Sequence, residues 1–359
     1  MRIVQILPTL SYGDAIGNDV FALGQVLREM GFEQEIYAEK IGKGIPRGSA
    51  KYIGDMSPLS EKDIVIYHMS VSSALSKWII DQLCRKIMIY HNITPASYYT
   101  GYDRYRELSC LRGLRETESL SGIWDYALAD SEYNKKNLEM MGYDMPIDVL
   151  PILISFDEYD AAPSRSLIKK YGNDGYKNII FTGRIVPNKK QEDVIAAFCE
   201  YQKNYEEKSR LFLVGSSVIQ KYTDDLKAYI EKLGVRDVYI TGHVSNEELA
   251  AYYQLADLFL CMSEHEGFCV PLLEAMHFEI PIIAYECTAV GETLGDAGIR
   301  LKEKDPLLTA GIMDRVISDQ NIRSGLLSKQ QVRLRTFSKD RVKDMFINYI
   351  NGFIGTSDK

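Results

Sequence analysis

Short apolar runs alternate with amphipathic helical patterns along most of the chain. Residues 3–7, 64–68 and 87–90 form runs with the length of buried strands, and stretches such as 19–30 repeat apolar residues at helical spacing. Buried strands that alternate with helices are typical of a parallel sheet. The pattern therefore predicts an α/β protein.

A change of pattern divides the chain near its middle. From residue 157 to residue 177 the composition becomes polar and the periodicity fades. A length of 359 residues also suits two domains better than one. We predict an N-terminal domain over residues 1–160, a linker over 161–177 and a second domain over 178–335, followed by a last helical pattern.

The composition limits the classes of partner and the compartment. The formal net charge of -8 argues against a nucleic-acid partner and gives no overall attraction to anionic lipid. Six cysteines are scattered without a Cys-x-x-Cys pair, as in a reduced cytosolic protein. No apolar run approaches the roughly 18 residues of a membrane-spanning helix. We expect a cytoplasmic protein with at most peripheral contact with the inner face of a membrane.

The most informative stretch is residues 263–276, which follow an apolar run and pass through a loop into a helix opened by Pro271. The first amides of a helix lack intrahelical partners and carry a positive dipole, so this backbone can hold a phosphate. The backbone candidates are Gly267, Phe268, Cys269 and Val270. Glu266 and Glu274 frame the same spot, where carboxylates suit the hydroxyls of a sugar or ribose. The alternative is a helix whose acidic first turn is stabilised by the dipole.

A basic loop opens the second domain, although the chain as a whole is acidic. Residues 178–183 read as a strand, and the loop that follows carries Arg184, Lys189 and Lys190. An arginine fork can grip two phosphate oxygens, and a lysine supplies a mobile point charge. We predict a phosphate site here, with a solvated basic loop as the alternative.

Both segments resemble motifs of the retaining family 4 glycosyltransferases of GT-B fold. The two glutamates in Glu-Gly-Phe-x-x-Pro-x-x-Glu-Ala resemble the donor motif, which implies that Glu266 contacts the transferred sugar and Glu274 the ribose. Residues 183–190 resemble the Gly-Arg-x-x-x-x-Lys-Gly phosphate motif, in which Arg184 and Lys189 match the cations. Lys190 stands where a glycine is usual, so either lysine is a candidate for the phosphate contact.

The resemblance also implies an architecture. It implies two Rossmann-like, doubly wound parallel-sheet domains that face a central cleft, with the acceptor side in the N-terminal domain and the nucleotide sugar in the second. Residues 336–359 would form a helix that crosses back to the N-terminal domain. Gly242 and Val244, after a further predicted strand, would lie near the nucleobase; an ordinary connection is the alternative.

The N-terminal half offers further candidates. Gly13 and Asp14 lie in the loop after the first strand, which in the family closes over the reaction centre; a plain tight turn is the alternative. The Gly-x-Gly-x-x-Gly spacing of a dinucleotide loop is absent, so we reject a nicotinamide site. His68 and His91 each end a predicted strand at the edge where ligands of open α/β sheets gather. His91 resembles the family histidine beside the transferred sugar, and either histidine can instead be a hydrogen-bonded loop residue.

Together these features predict a retaining, metal-independent glycosyltransferase that moves a sugar from a UDP- or GDP-sugar to a hydroxyl of a glycan, lipid-linked or small-molecule acceptor. The retention is implied by the resemblance. The chain has no Asp-x-Asp triplet, so we expect cations of the protein to stabilise the leaving nucleotide and expect no cofactor. The catalytic candidates are Glu266, His91, Arg184 and Lys189. The alternatives are a non-catalytic subunit that binds a nucleotide sugar and a sugar-nucleotide epimerase.

Overall fold

The computed structural model describes residues 1–11, 13–156 and 162–355. These residues fall into two compact units. The first unit comprises Met1–Ser97, Arg104–Ser155 and the chain from Phe337 onwards, and the second comprises Tyr98–Asp103 and Phe156–Thr336. The expected boundary between residues 160 and 161 lies outside the described residues.

In the described chain, the first unit is built on a seven-stranded parallel sheet with the strand order β3-β2-β1-β4-β5-β6-β7. The strands are β1 (Arg2–Leu10), β2 (Glu33–Ile41), β3 (Lys51–Tyr52), β4 (Ile64–Met69), β5 (Arg85–Tyr90), β6 (Tyr126–Ala129) and β7 (Ile147–Val149). Its helices are α1 (Ala15–Glu29), α2 (Leu75–Trp78), α3 (Arg104–Ser119), α4 (Glu132–Met140) and α13 (Lys339–Gly355). The chain reverses its winding between β1 and β4, where the carboxyl ends of open α/β sheets bind ligands.

The last helix, α13, belongs to the core of the first unit. Val342, Phe346, Ile350 and Phe353 are buried in the same apolar cluster as residues of α1, β1, β4 and β5. Helical spacing places these four side chains on one face of α13. The first unit is therefore completed by a segment that follows the whole second sheet in the sequence.

Within the described residues, the second unit has a six-stranded parallel sheet with the order β10-β9-β8-β11-β12-β13. The strands are β8 (Lys177–Thr182), β9 (Ser209–Val214), β10 (Val238–Gly242), β11 (Leu258–Cys261), β12 (Ile282–Tyr285) and β13 (Ile299–Leu301). Its helices are α5 (Arg165–Tyr171), α6 (Gln191–Asn204), α7 (Gln220–Leu233), α8 (Asn246–Leu255), α9 (Val270–His277), α10 (Val290–Leu294), α11 (Pro306–Ser318) and α12 (Gln320–Arg335). Here the winding reverses between β8 and β11, so the two predicted motif loops leave neighbouring strands at the same sheet edge.

The stretch that the sequence analysis treats as a linker holds ordered structure in the second unit. Helix α5 lies in it, and Tyr171 at its end is buried with its ring 5.0 Å from that of Phe212 in β9. A seven-residue helix that ends in two lysines and a tyrosine has too few apolar positions to show a clear period. Helix α5 is held in place by the burial of Tyr171 against the sheet of the second unit.

The described helices include none with the length and apolar character needed to cross a bilayer. The six cysteines are free thiols, and five of them are buried. This agrees with the reduced, mostly buried cysteines that the sequence predicts.

Candidate functional site

Close backbone contact shapes the turn after β8. Gly215, at the end of the neighbouring strand β9, has a φ of +144, and a Cβ added there would lie 2.1 Å from the carbonyl oxygen of Gly183. Only glycine fits such an approach. The Gly183 amide donates to the carbonyl of Val214 at 2.9 Å, so the start of the basic loop is held against β9.

Arg184 is the first side chain of this loop, and it is exposed. Its backbone carbonyl accepts a hydrogen bond from Gln191 Nε2 at 3.0 Å, which fixes the backbone. Its guanidinium makes no hydrogen bond or ion pair with any residue that the structure describes. An unpaired guanidinium at the carboxyl end of a central strand is free to bind an anion.

Lys189 and Glu266 join the two motif loops. Lys189 Nζ lies 2.5 Å from Oε1 and 2.6 Å from Oε2 of Glu266, and only 13% and 8% of the two side chains is exposed. Burial by itself lowers the pKa of Lys189, but the adjacent carboxylate outweighs burial and holds that pKa above its ordinary value. The lysine therefore stays charged and neutralises Glu266.

Lys190 points to other partners. Its Nζ lies 3.4 Å from Glu192 and 3.6 Å from Glu264, and Glu264 also accepts from Lys304 Nζ at 2.8 Å. Lys190 has a φ of 53, in the left-handed region that favours glycine. This conformation gives a physical reason for the glycine that is usual at this position of the motif.

The second motif forms the loop after β11 and the start of α9. Cys269, at the N-cap of α9, has a φ of 76, and the Phe268 carbonyl accepts from the Thr293 hydroxyl at 2.5 Å. The Glu266 amide donates to the Thr288 hydroxyl at 2.9 Å. Gly267 lies between these fixed points and Val270 is the first residue of α9, so the loop is held by side chains of the α10 region.

Glu274 is buried in the first turns of α9 and accepts a hydrogen bond from the hydroxyl of Tyr253 in α8. The Tyr253 hydroxyl also lies 2.6 Å from Thr182 Oγ1, at the end of β8. A chain of two hydrogen bonds thus connects β8, α8 and α9.

Gly242 and Val244 lie at the carboxyl end of β10, two strands from β8 in the sheet order. Gly242 has a φ of 74, and its carbonyl accepts from the Gly215 amide at 3.2 Å. Both residues are half-buried. They occupy the same edge of the sheet as the two motif loops.

The first unit places the other candidates at the edge of its own sheet. Asp14 caps α1, because its Oδ1 accepts from the Gly17 amide at 2.6 Å, and Gly13 before it has a φ of +74. His68 ends β4 and His91 follows β5, and both are buried. The four lie in the first unit, whereas Arg184, Lys189 and the two glutamates lie in the second.

A hydrogen-bond chain fixes the protonation of His91. Gln5 Nε2 donates to the Val20 carbonyl at 3.0 Å, so Gln5 Oε1 is the atom that accepts from His68 Nε2 at 2.9 Å. Neutral His68 then accepts at Nδ1, 2.8 Å from His91 Nε2, and His91 Nδ1 donates to Asp130 Oδ2 at 2.9 Å. With Asp130 ionised, His91 donates from both nitrogens and is an imidazolium.

The surroundings support this assignment. Burial lowers the pKa of His91, but Asp130, Asp19 and Asp14 together raise it above its ordinary value. Burial and the neighbouring His91 hold the pKa of His68 well below its usual range. Burial raises the pKa of Asp19 to about 7, although His91 opposes the rise.

Two buried groups of side chains have the composition of metal ligands. One consists of Asp19, His68 and His91, the other of Cys261, Glu266 and Cys269, and within each the ligand atoms lie within 4.8 Å of one another. In the first group the ring nitrogens are used in the hydrogen-bond chain, and in the second Lys189 holds both carboxylate oxygens. In both groups these atoms are engaged with protein partners.

Sequence reasoning missed Tyr253, Gln5 and Asp130. Asp130 follows β6 directly, as His91 follows β5, so the rule that places polar residues at strand ends could have found it. Tyr253 lies inside a helix, and Gln5 lies inside a strand. Nothing in their local sequence pattern marks either of them.

Part of the chain matches a known protein family. Residues 164–332 match the family model described as Glycosyl transferases group 1. The matched residues lie within the second unit. That region contains Arg184, Lys189, Glu266 and Glu274 and covers every strand of the second sheet.

Curated relatives are distant in sequence. The chain is 22% identical to an O-antigen chain mannosyltransferase B of Escherichia coli over 276 residues, which is 74% of this chain and 70% of that protein. It is 28% identical to an alpha-monoglucosyldiacylglycerol synthase of Streptococcus pneumoniae over 193 residues, 52% of this chain and 42% of that protein. The chain thus spans less than half of the length of the second relative.

Solved structures agree over nearly the whole chain. A sucrose-phosphate synthase of Thermosynechococcus elongatus has a TM-score of 0.77 at 15% identity and covers 99% of this chain and 100% of its own. HepE of Anabaena, solved with UDP-glucose, has a TM-score of 0.76 at 14% identity, with 98% and 100% covered. The predicted fold class, α/β with two Rossmann-like parallel-sheet domains of GT-B type, is confirmed.

Proposed function

We propose that this protein is a retaining family 4 glycosyltransferase that transfers a sugar from a UDP- or GDP-sugar to a hydroxyl acceptor. One observation carries the proposal: the free guanidinium of Arg184 lies on the loop after β8, and the buried Glu266 and Glu274 lie on the loop and the helix α9 that follow the adjacent central strand β11 of the second unit. A cation and a helix N-terminus can bind the diphosphate of a nucleotide sugar, and carboxylates can bind its hydroxyls. The match to group 1 glycosyl transferases supports the same activity.

Each group has a role in the proposal. Arg184 and the amides at the start of α9 hold the diphosphate, Glu274 accepts from the ribose, and Glu266 accepts from the transferred sugar. Gly242 and Val244 contact the base. Gly267, Phe268, Cys269 and Val270 supply backbone contacts to phosphate and sugar.

Lys189 rather than Lys190 is the lysine that we assign to the phosphate. Lys190 is paired with Glu192 and Glu264, away from Glu266. Lys189 already touches Glu266, and a diphosphate bound beside this pair offers the ammonium a second anionic partner. The lysine can then bridge phosphate and carboxylate without leaving the site.

The chemistry is a substitution at the anomeric carbon with retained configuration. The bond from that carbon to the phosphate oxygen breaks, the acceptor oxygen bonds to the carbon from the same face, and the acceptor proton passes to the departing phosphate. Arg184 and Lys189 stabilise the negative charge that builds on the leaving nucleotide. Protein cations supply this stabilisation, so the proposed reaction is metal-independent.

The acceptor is proposed to be a glycan or a lipid-linked glycan, with peripheral contact with a membrane where the acceptor is lipid-linked. The names of the two curated relatives support this class, since one is an O-antigen chain mannosyltransferase and the other an alpha-monoglucosyldiacylglycerol synthase, which name a glycan and a lipid-linked sugar. Gly13, Asp14 and His91 in the first unit remain candidates for contact with the sugar or the acceptor. The imidazolium state of His91 suits stabilisation of nearby negative charge.

Nucleotide-sugar binding tests the proposal. We expect one of a panel of UDP- and GDP-sugars to raise the melting temperature of the protein and Arg184→Ala to weaken its affinity about 10- to 100-fold, because charged hydrogen bonds are lost. Arg236→Ala is the matched control, since Arg236 is an exposed arginine paired with Glu207. The proposal fails if no donor binds or if the two variants behave alike.

Turnover separates the enzyme from the alternatives. A retaining transferase hydrolyses or transfers its donor with conserved anomeric configuration, which NMR of the product reports. A non-catalytic subunit binds the donor without turnover, and an epimerase isomerises it without acceptor.

A further inference from the structure

A chain of buried hydroxyls runs beneath Glu274. It begins at Thr182, the last residue of β8, passes through Tyr253 in α8 and ends at Glu274 in α9. Thr182 is 4% exposed, Tyr253 0% and Glu274 8%. The chain links the strand before the basic loop to the helix after the acidic loop, so both halves of the proposed donor site share one polar connection.

The direction of the two hydrogen bonds follows from the groups. An ionised carboxylate only accepts, so the Tyr253 hydroxyl donates its hydrogen to Glu274 Oε2. A tyrosine has a single hydroxyl hydrogen, so Thr182 must donate to Tyr253 Oη across the 2.6 Å contact. Each of the two hydroxyls donates one hydrogen bond, and the bond from Thr182 orients the hydroxyl of Tyr253.

The ring of Tyr253 has little freedom to follow a moving carboxylate. It stacks on Phe278 with centroids 4.9 Å apart and 7° between the ring planes. It also lies 6.5 Å from Phe259 of β11. The hydroxyl is therefore a fixed donor placed at one oxygen of Glu274.

We propose that Tyr253, oriented by Thr182, is a positioning residue that sets the carboxylate of Glu274 for ribose recognition. Fixing Oε2 fixes the plane of the carboxylate, and thereby the direction in which the group presents its remaining lone pairs to the 2′- and 3′-hydroxyls. A site built to bond hydroxyls discriminates strongly against a ligand that lacks one. The inference rests on the proposed function, because the ribose contact of Glu274 is part of it.

Tyr253→Phe is the direct test, because it removes one oxygen and keeps the ring. Whichever of UDP and GDP the protein binds, we expect its dissociation constant to rise about tenfold. This is the effect of losing a hydrogen bond to a charged group. Affinity for the 2′-deoxy nucleotide changes less, so the preference for ribose falls. In turnover, KM for the donor rises while kcat changes little, since Tyr253 does not touch the reacting atoms.

Two further variants keep the inference testable if Tyr253→Phe is unstable. Thr182→Val removes the hydroxyl behind Tyr253 with little change in volume, and we expect a smaller fall in the same ribose preference. Thr182→Ser keeps the hydroxyl and is expected to restore it. Tyr252→Phe is the matched control, because Tyr252 is the adjacent buried tyrosine of α8 and its hydroxyl has no hydrogen-bond partner among the described residues.

Titration calorimetry with UDP, GDP and their 2′-deoxy forms gives a distinct result for each failure. If Glu274→Gln abolishes the ribose preference while Tyr253→Phe and Thr182→Val retain it, the positioning role is overturned and the proposed function stands. If the wild-type protein binds none of these nucleotides, or binds ribose and deoxyribose forms equally, the proposed donor site fails as well. A loss of preference in Tyr253→Phe and Thr182→Val, with Tyr252→Phe unchanged, supports the inference.

Discussion

His91 shows how a single buried charge can be assigned from its neighbours. Its two nitrogens are occupied by His68 and Asp130, and with Gln5 oriented by Val20 and Asp130 ionised, His91 is the donor to both. A histidine held in this way keeps its proton at a pH where a free imidazole loses it. The ring is part of a rigid network at the edge of the first sheet.

Nitrogen chemical shifts of labelled histidine test the assignment. At pH 7.5 we expect both nitrogens of His91 to be protonated and His68 to be the neutral Nε2–H tautomer, with assignments made from His68→Gln and His91→Gln. Asp130→Asn removes the neighbour that raises the pKa of His91, so the imidazolium signal should disappear at that pH. A neutral His91 in the wild-type protein would contradict the hydrogen-bond chain.

The same network predicts how stability depends on pH. The folded-state pKa of His91 is raised, so its contribution is full below its unfolded value of about 6.5 and is lost as the pH rises through the folded value. Asp19 acts in the same direction at lower pH, because its contribution is lost between its unfolded pKa of about 4 and its folded pKa of about 7. The pKa of Asp130 is also raised, so it too contributes stability that is lost as the pH rises. His68, with a lowered pKa, is neutral in both states above about pH 7 and adds no slope there.

We therefore expect the free energy of unfolding to fall as the pH rises above about 6.5, with a slope of at most about 1.4 kcal/mol per pH unit for each proton released. Denaturant unfolding at several pH values measures this slope. Asp130→Asn should flatten it, whereas His243→Gln, at an exposed histidine, should leave it unchanged. A wild-type stability that rises over this range would refute the prediction.

Lys190 allows a test of backbone strain. Its φ of 53 costs a residue with a Cβ roughly 1 kcal/mol that glycine avoids. Lys190→Gly and Lys190→Ala both remove the ammonium and differ only in this Cβ. We expect the alanine variant to unfold with about 1 kcal/mol less free energy than the glycine variant, and equal stabilities would show that the conformation relaxes without cost.

At the scale of elements, we expect the largest change in the free energy of unfolding from a substitution in the packed face of α13. Phe346 is fully buried in the core of the first unit. Phe346→Ala removes its ring and leaves a cavity, which costs about 3–5 kcal/mol. Asn348→Ala, at an exposed position of the same helix, is the control and should change the free energy of unfolding by less than about 0.5 kcal/mol. A small effect at Phe346 would mean that the first unit folds without α13.

The elements that sequence patterns predicted well are those whose signal is local. Ser245 and Glu248, in a Ser-x-x-Glu pattern, form a capping box at the start of α8. Buried parallel strands such as β4 appear as unbroken apolar runs, and β4 was predicted almost to the residue. Helix α5 and the two-residue strand β3 were missed, because each is stabilised by its neighbours more than by its own pattern.

At the scale of the whole molecule, the resemblance predicted the fold, and the sheet order of the second unit brings the two motif loops to neighbouring strands. The sequence alone did not predict which side chains pair with each other. The separate partners of Lys189 and Lys190 and the contact of Tyr253 with Glu274 join residues 21 to 77 positions apart, which only the tertiary fold brings together. The pairing of Lys190 with Glu192 is local, and helical spacing alone did not single it out.

The overall reaction also offers a prediction. Because Arg184 and Lys189 are proposed to supply the positive charge at the leaving diphosphate, we expect turnover to be unchanged by EDTA. Initial rates with and without the chelator, and with added Mg²⁺ or Mn²⁺, measure this. A loss of activity in EDTA that a divalent cation restores would require a metal in the reaction.

The return of α13 to the first unit has a consequence for synthesis. While the ribosome is still producing residues 156–336, the sheet of the first unit lacks the helix that covers part of its apolar face. The second unit is nearly continuous in sequence and can close during this time. The core of the unit that is made first can therefore close only after the unit that is made second has left the ribosome, and until α13 emerges the apolar side chains that it covers have no partner from that helix.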